Sequence, residues 1–215
     1  MGLPEYEQLS HLVTQRSPQV SSNLNCVEEQ EATGEVAELY QYFRSHFGRP
    51  DVPGIIKCFA THPPMLRHMM PMAESLIFSD GQLSRRDKAM IGAFVSEQNA
   101  CTYCSDCHGF FFRAQGGSAD TLKAIKRGDL QSPSFSEAER ALLSFIAKVD
   151  SDSCEIDRND IEVLCQYGWS EDQIAEAIHV AALFAAFNRI ANGFGLSSQG
   201  LVELYENSDE AKLAR

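Results

Sequence analysis

The run from Ser170 to Gly195 constrains the fold more than any other part of the chain. Ser170 and Gln173 form a capping box, in which two side chains satisfy amides at a helix start. The residues from about Glu171 to Asn192 then hold no glycine or proline, and Gly193 and Gly195 break the run. This is the longest predicted helix. Ala175, Ala177, Ala181, Ala182, Ala185 and Ala186 line it, and such small residues let neighbouring helices approach closely.

The rest of the sequence reads the same way. Val36, Leu39, Tyr40 and Phe43 fall at helical spacing in a run from Glu35 that Gly48-Arg-Pro stops. A short helix is expected over Ile55 to Ala60 and a longer one from about Met65 to Phe78. Ser84 with Asp87 resembles a capping box for Arg85 to Gln98, where Met90, Ile91, Phe94 and Val95 repeat at helical spacing. A second helix runs from about Cys101 to Ala114, with Phe110, Phe111 and Phe112 packing it inward, and Ser118 caps a short one. Ser136 with Glu139, and then Asp157, open two more, and a last helix covers roughly Ser198 to Tyr205. No segment alternates as a strand would, so the chain is predicted to be all-α, a single-domain helical bundle. Residues 1–33 are polar and read as an N-terminal arm with one helical piece around Glu7 to Gln15; residues 34–215 form the domain.

The charge of -12 over 215 residues argues against a nucleic-acid partner, whose phosphates would be repelled, and against anionic membranes. No run of about eighteen apolar residues stands out and no leader pattern opens the chain, so a cytoplasmic location with no membrane partner is expected. Seven cysteines without a secretion signal speak against a framework of structural disulfides. Cys26, Cys58, Cys154 and Cys165 are scattered and read as small apolar side chains.

One cluster carries chemistry. Cys101-Thr-Tyr-Cys104, with His108 four residues further on, follows a helix break, and steps of three and four residues return to roughly one helical face. A thiol at a helix N-terminus feels the positive end of the macrodipole, and a nearby imidazole can take its proton, so thiolate can form near neutral pH. By position the helix end favours Cys101 as thiolate, whereas the one-turn spacing to His108 favours Cys104. Glu97 and Tyr103 are candidates for a proton relay beside the pair. Cys107 and His108 complete four nominal zinc ligands, but adjacent residues point about 100° apart on a helix and cannot readily surround a tetrahedral ion. His46, His62 and His68 read as surface or capping groups, His179 as a core histidine, and Arg189 as a group that pairs with a carboxylate or a partner helix. No phosphate-cradling glycine loop is present, and no cofactor is expected.

Ser96-Glu-Gln-Asn-Ala-Cys101-Thr-Tyr-Cys104-Ser-Asp-Cys-His108, followed later by Phe187-Asn188-Arg189-Ile-Ala-Asn192, resembles the alkyl hydroperoxidase D and carboxymuconolactone decarboxylase superfamily, in its peroxidase-related branch. The likeness covers about residues 35–200. It implies the all-α fold of that family, a homo-oligomer, and a thiol-dependent peroxidase that reduces a hydroperoxide substrate at the expense of a dithiol reductant or reductase protein. By the same resemblance Cys104 attacks the peroxide, Cys101 resolves the sulfenic acid as a disulfide, and His108 manages the proton. A general disulfide oxidoreductase or a redox sensor on the same scaffold is the alternative. Lactone decarboxylation is a weaker inheritance, because that branch generally lacks the cysteine pair. Two positions depart from the hydroperoxidase pattern. Ala89 stands where its relay glutamate would be, twelve residues before Cys101, and Tyr103 stands where it has a histidine between the cysteines. Asp87 lies about 200° round the helix from position 89 and is a poor substitute.

Overall fold

A computed structural model describes residues 23–208, so the helical piece expected around Glu7 to Gln15 lies outside the described residues. Ten α-helices follow in order, and no strand occurs among the described residues. They are α1 (Gly34–Phe47), α2 (Gly54–Phe59), α3 (Pro63–Ile77), α4 (Arg85–Gln98), α5 (Thr102–Ala114), α6 (Ala119–Arg127), α7 (Glu137–Ser151), α8 (Arg158–Gln166), α9 (Glu171–Phe194) and α10 (Leu201–Glu206).

The capping signals act where the sequence puts them. Ser84 Oγ accepts the Asp87 amide to start α4, and Ser136, Asp157 and Ser170 each close a reciprocal box with the residue three further on. Helix α9 ends at Gly195, in the left-handed region at φ 78°, so Gly193 is inside the helix rather than its breaker. The last helix begins at Leu201, three residues later than expected. Asp106, buried on α5, accepts the amides of Gln199, Leu201 and Val202 at 2.9–3.0 Å and so caps α10 from a distant element.

Helices α4, α5 and α9 form the centre. Helix α4 packs along both others, and its residues from Lys88 to Ser96 are all buried. Gly92 allows the close approach of α9, because a Cβ there would lie 2.5 Å from the ring of Phe184. Lys88, fully buried, bridges the same pair of helices through Glu176 Oε1 at 2.7 Å and also donates to the Ser79 carbonyl. Helix α9 has the length and hydropathy to cross a membrane, with a mean hydropathy of 1.4 over its most apolar window, but half of that window is buried as the core of this bundle. Its alanines divide. Ala177 and Ala181 face the core, while Ala175, Ala182 and Ala186 are exposed, so only part of the row serves packing here. His179 is exposed as well, which corrects its reading as a core histidine.

Candidate active site

The turn between α4 and α5 sets the geometry of the cysteine pair. Ala100 is the one described non-glycine residue with a positive φ, 49°. It ends α4 in a Schellman arrangement, with the Cys101 amide donating to Ser96 O at 2.8 Å and the Ala100 amide to Glu97 O at 3.0 Å. An alanine in this region costs about 1–2 kcal/mol that a glycine would not. The chain then enters α5 at once, so Cys101 is its N-cap and Cys104 its third residue.

Both sulfurs are buried, Cys101 at 0% and Cys104 at 4% exposure. Among neighbours of Cys101, the Cys104 thiol acts most strongly: it donates to the Cys101 sulfur and favours its anion. The Cys104 and Tyr103 amides and the Asn188 side chain add to this. Although the sulfur makes no complete capping bond to an amide, these groups outweigh burial, and the Cys101 thiol is lowered to about 7. Cys104 moves the other way. Its proton is held in the bond to Cys101, and burial adds to that, so its pKa is pushed up strongly. When the reduced pair loses one proton, the charge therefore belongs to Cys101 and the remaining proton to Cys104.

His108 does not play the part its spacing suggests. No hydrogen bond joins it to either thiol, and its Nδ1 is buried without a partner. The ring stands edge-on to Phe184, with centroids 4.3 Å apart, and burial pushes it down to about 3, so it is neutral at physiological pH. The shared-proton partner of Cys104 is Cys101 instead. Ala89, Arg85, Phe111, Gln115 and His108 border one small cavity of about 10 Å³, room for about one water-sized group, and Ala89 brings no polar atom to it.

Glu97 takes a hydrogen bond from Ser105 and does not bond to the cysteines. The Tyr103 hydroxyl accepts the Ile55 amide at 3.3 Å, which ties α5 to α2, and burial pushes its pKa well up. Asn188, part of the later motif that carries the family resemblance, reaches the cysteine pair. Fully buried, it donates to Ser96 Oγ at 3.0 Å while its amide also faces both sulfurs. Arg189 is exposed and donates to the Ala185 carbonyl of its own helix.

A largely apolar cavity of about 80 Å³, room for about six water-sized groups, opens beside the pair. Cys104, Cys107, His108 and Tyr103 border it, together with aromatic and aliphatic side chains from α1, α2 and α3, but Cys101 does not. Arg49, nearly fully buried at its rim, pairs with both carboxylate oxygens of Asp51 at 3.2 and 2.6 Å. Cys107, on the same wall, is raised to about 12, chiefly by desolvation. No group of three or more His, Cys, Asp or Glu side chains is placed to hold a metal ion among the described residues.

An all-α bundle that holds a CxxC pair at the start of a central helix, beside an apolar cavity, defines a class of thiol protein. Residues 63–148 match the carboxymuconolactone decarboxylase family, and the fold of the whole chain is similar to that of alkyl hydroperoxidase D-like proteins. Among solved structures it is similar to a peroxidase-related protein from Ralstonia eutropha JMP134, described as an alkylhydroperoxidase AhpD core. The two share 23% identity over 87% of this chain and 96% of that one, with a TM-score of 0.75. A peroxidase-related protein from Silicibacter sp. TM1040 is 25% identical over 84% of this chain and 93% of its own, with a TM-score of 0.72. The debrominase Bmp8 shares the fold at 18% identity, covering 86% of this chain and 95% of its own, with a TM-score of 0.64. A search of curated proteins by sequence finds no match.

Proposed function

We propose that the chain is a thiol-dependent oxidoreductase that reduces hydroperoxides through a Cys101 to Cys104 disulfide cycle. The carrying observation is the division of labour within the pair: a stabilised anion on Cys101, hydrogen-bonded to a Cys104 thiol that borders an apolar cavity. Transfer of the shared proton from Cys104 to Cys101 puts the thiolate at the cavity. That thiolate attacks the terminal oxygen of the hydroperoxide, the O–O bond breaks, and Cys104 becomes a sulfenic acid. The departing alkoxide ends as the alcohol with the proton that Cys101 gives up, and the Tyr103 hydroxyl donates a hydrogen bond to it meanwhile. Cys101 then attacks the Cys104 sulfur and expels hydroxide as the disulfide forms. Asn188 positions both sulfurs, and neutral His108 forms part of the cavity wall.

A dithiol reductant closes the cycle. Hydroperoxide consumption with a dithiol should be repeated in the wild type, lost in Cys104→Ser and reduced in His108→Ala. Undiminished turnover in Cys104→Ser would sink the assignment. A single oxidation without turnover would instead identify a redox sensor.

A further inference from the structure

Two other cysteines meet beside this site. Cys26 Sγ lies 3.6 Å from Cys58 Sγ, although 32 residues separate them in sequence. Cys58 sits on α2 and packs in one buried cluster with Cys101, Tyr103 and Cys104, against which Cys26 also packs. We propose that Cys26 and Cys58 form a second redox-active dithiol that reduces the Cys101 to Cys104 disulfide and passes the oxidation outward to a dithiol reductant. This rests on the disulfide cycle proposed above.

Access explains the need for such a relay. A small hydroperoxide can enter the cavity, but a protein reductant must touch sulfur directly, and Cys101 and Cys104 are at most 4% exposed. Cys58 is also buried, at 2%. Cys26 is partly exposed and lies in an irregular segment that runs over the body of the protein. That segment is tied down on either side of the cysteine. The Asn23 amide donates to Phe194 O at 2.7 Å, Tyr40 to Val27 O at 2.7 Å, and Lys57 to Glu28 at 2.7 Å. These contacts hold the sulfur near Cys58, while irregular backbone can give the roughly 1.5 Å of approach that an S–S bond of about 2.05 Å requires.

The exchange balances without any further reagent. Cys58, its proton passing to solvent through the partly exposed Cys26 sulfur 3.6 Å away, attacks the Cys104 sulfur; the Cys101 to Cys104 bond breaks and Cys101 leaves as the thiolate that its surroundings favour. Cys26, also as thiolate, then attacks Cys58; the Cys58 to Cys104 bond breaks and Cys104 leaves and takes a proton. The products are a reduced centre and a Cys26 to Cys58 disulfide. An external dithiol reduces that bond and is itself oxidised to a disulfide.

The test uses the full chain, fully reduced and then given one equivalent of cumene hydroperoxide, with thiols blocked at intervals and disulfides mapped by peptide mass spectrometry. The Cys101 to Cys104 link should appear first, and a Cys26 to Cys58 link should grow as it declines. In Cys26→Ser, a mixed disulfide between Cys58 and Cys104 should accumulate, because the thiol that resolves it is gone. A Cys101 to Cys104 link that persists while Cys26 and Cys58 stay reduced would overturn the relay and leave the disulfide cycle standing. Failure of the Cys101 to Cys104 link to form would overturn the cycle beneath it. A Cys26 to Cys58 link forming equally fast in a Cys101→Ser, Cys104→Ser double variant would also overturn the relay.

Discussion

Cys101 with Cys104, and Cys26 with Cys58, are both close pairs of thiols in one buried cluster, yet their surroundings treat charge in opposite ways. Cys101 sits at the start of α5, where backbone amides, a neighbouring thiol and Asn188 all donate toward it, and its pKa falls to about 7. Cys58 is on a six-residue helix where one backbone amide is outweighed, and burial together with Cys26 pushes its pKa far up. A pair of thiols becomes a resting thiolate only where donors converge on one of them. Proximity without them leaves the Cys58 thiol protonated.

Thiolate absorbance tests this contrast with the largest expected effect. Titration of the reduced protein should give a first midpoint at about 7 that is missing in Cys101→Ser and unmoved in Cys58→Ser. In Cys104→Ala the midpoint should rise, since the Cys104 hydrogen bond is its leading cause. A shift of about two units corresponds to about 2.7 kcal/mol between the protonation states. Stability should follow in sign. A thiol whose folded pKa is lowered from 9.0 to about 7 contributes stability that is fully present above pH 9 and is lost as pH falls through 7. The difference in melting temperature between wild type and Cys101→Ser should therefore widen from pH 7 to 9, and a constant difference would contradict the assigned charge.

Gly92→Ala comes next. The added methyl meets Phe184, the ring against which His108 packs, and overpacking of this kind costs about 1–3 kcal/mol. Chemical denaturation should show that loss. The Cys26 to Cys58 contact belongs to a different buried cluster from Phe184, and its oxidation by a small disulfide should keep its rate.

Asn188→Ala removes a donor common to both central sulfurs and the partner of Ser96, for about 1–2 kcal/mol of stability. It should also raise the first thiol midpoint. A loss of stability with the midpoint unchanged would make Asn188 a packing residue only.

How far each pair could be read in the sequence follows from the range of its interactions. The bounds of α4, the caps at Ser84, Ser136, Asp157 and Ser170, and the CxxC at a helix start all depend on residues within one turn of each other, and a single sequence displays those directly. The contact of Cys26 with Cys58 depends on how an irregular segment crosses α2, and nothing local marks it. Asp106 capping α10 across more than ninety residues is hidden for the same reason. His108 shows the limit of spacing as evidence. One turn of helix brought it near Cys104, but its ring is buried edge-on against Phe184 and bonds to neither thiol. The Ala89 departure was legible in sequence; the ring nitrogen of His108 with no partner was not.

The smallest effect concerns how Cys101 reaches its place. Ala100→Gly should relieve about 1–2 kcal/mol of left-handed strain and give back about 0.4–1 kcal/mol through greater freedom of the unfolded chain. The net gain of about 0.5–1 kcal/mol corresponds to a melting temperature raised by about 1–4 °C. If the Schellman turn merely delivers Cys101 to the helix start, the thiol midpoint near 7 should survive this change. A midpoint that rises with the melting temperature would mean that the strained turn itself presses the sulfur toward its donors. The difference between the two dithiols would then originate in one residue of backbone rather than in the helix that follows it.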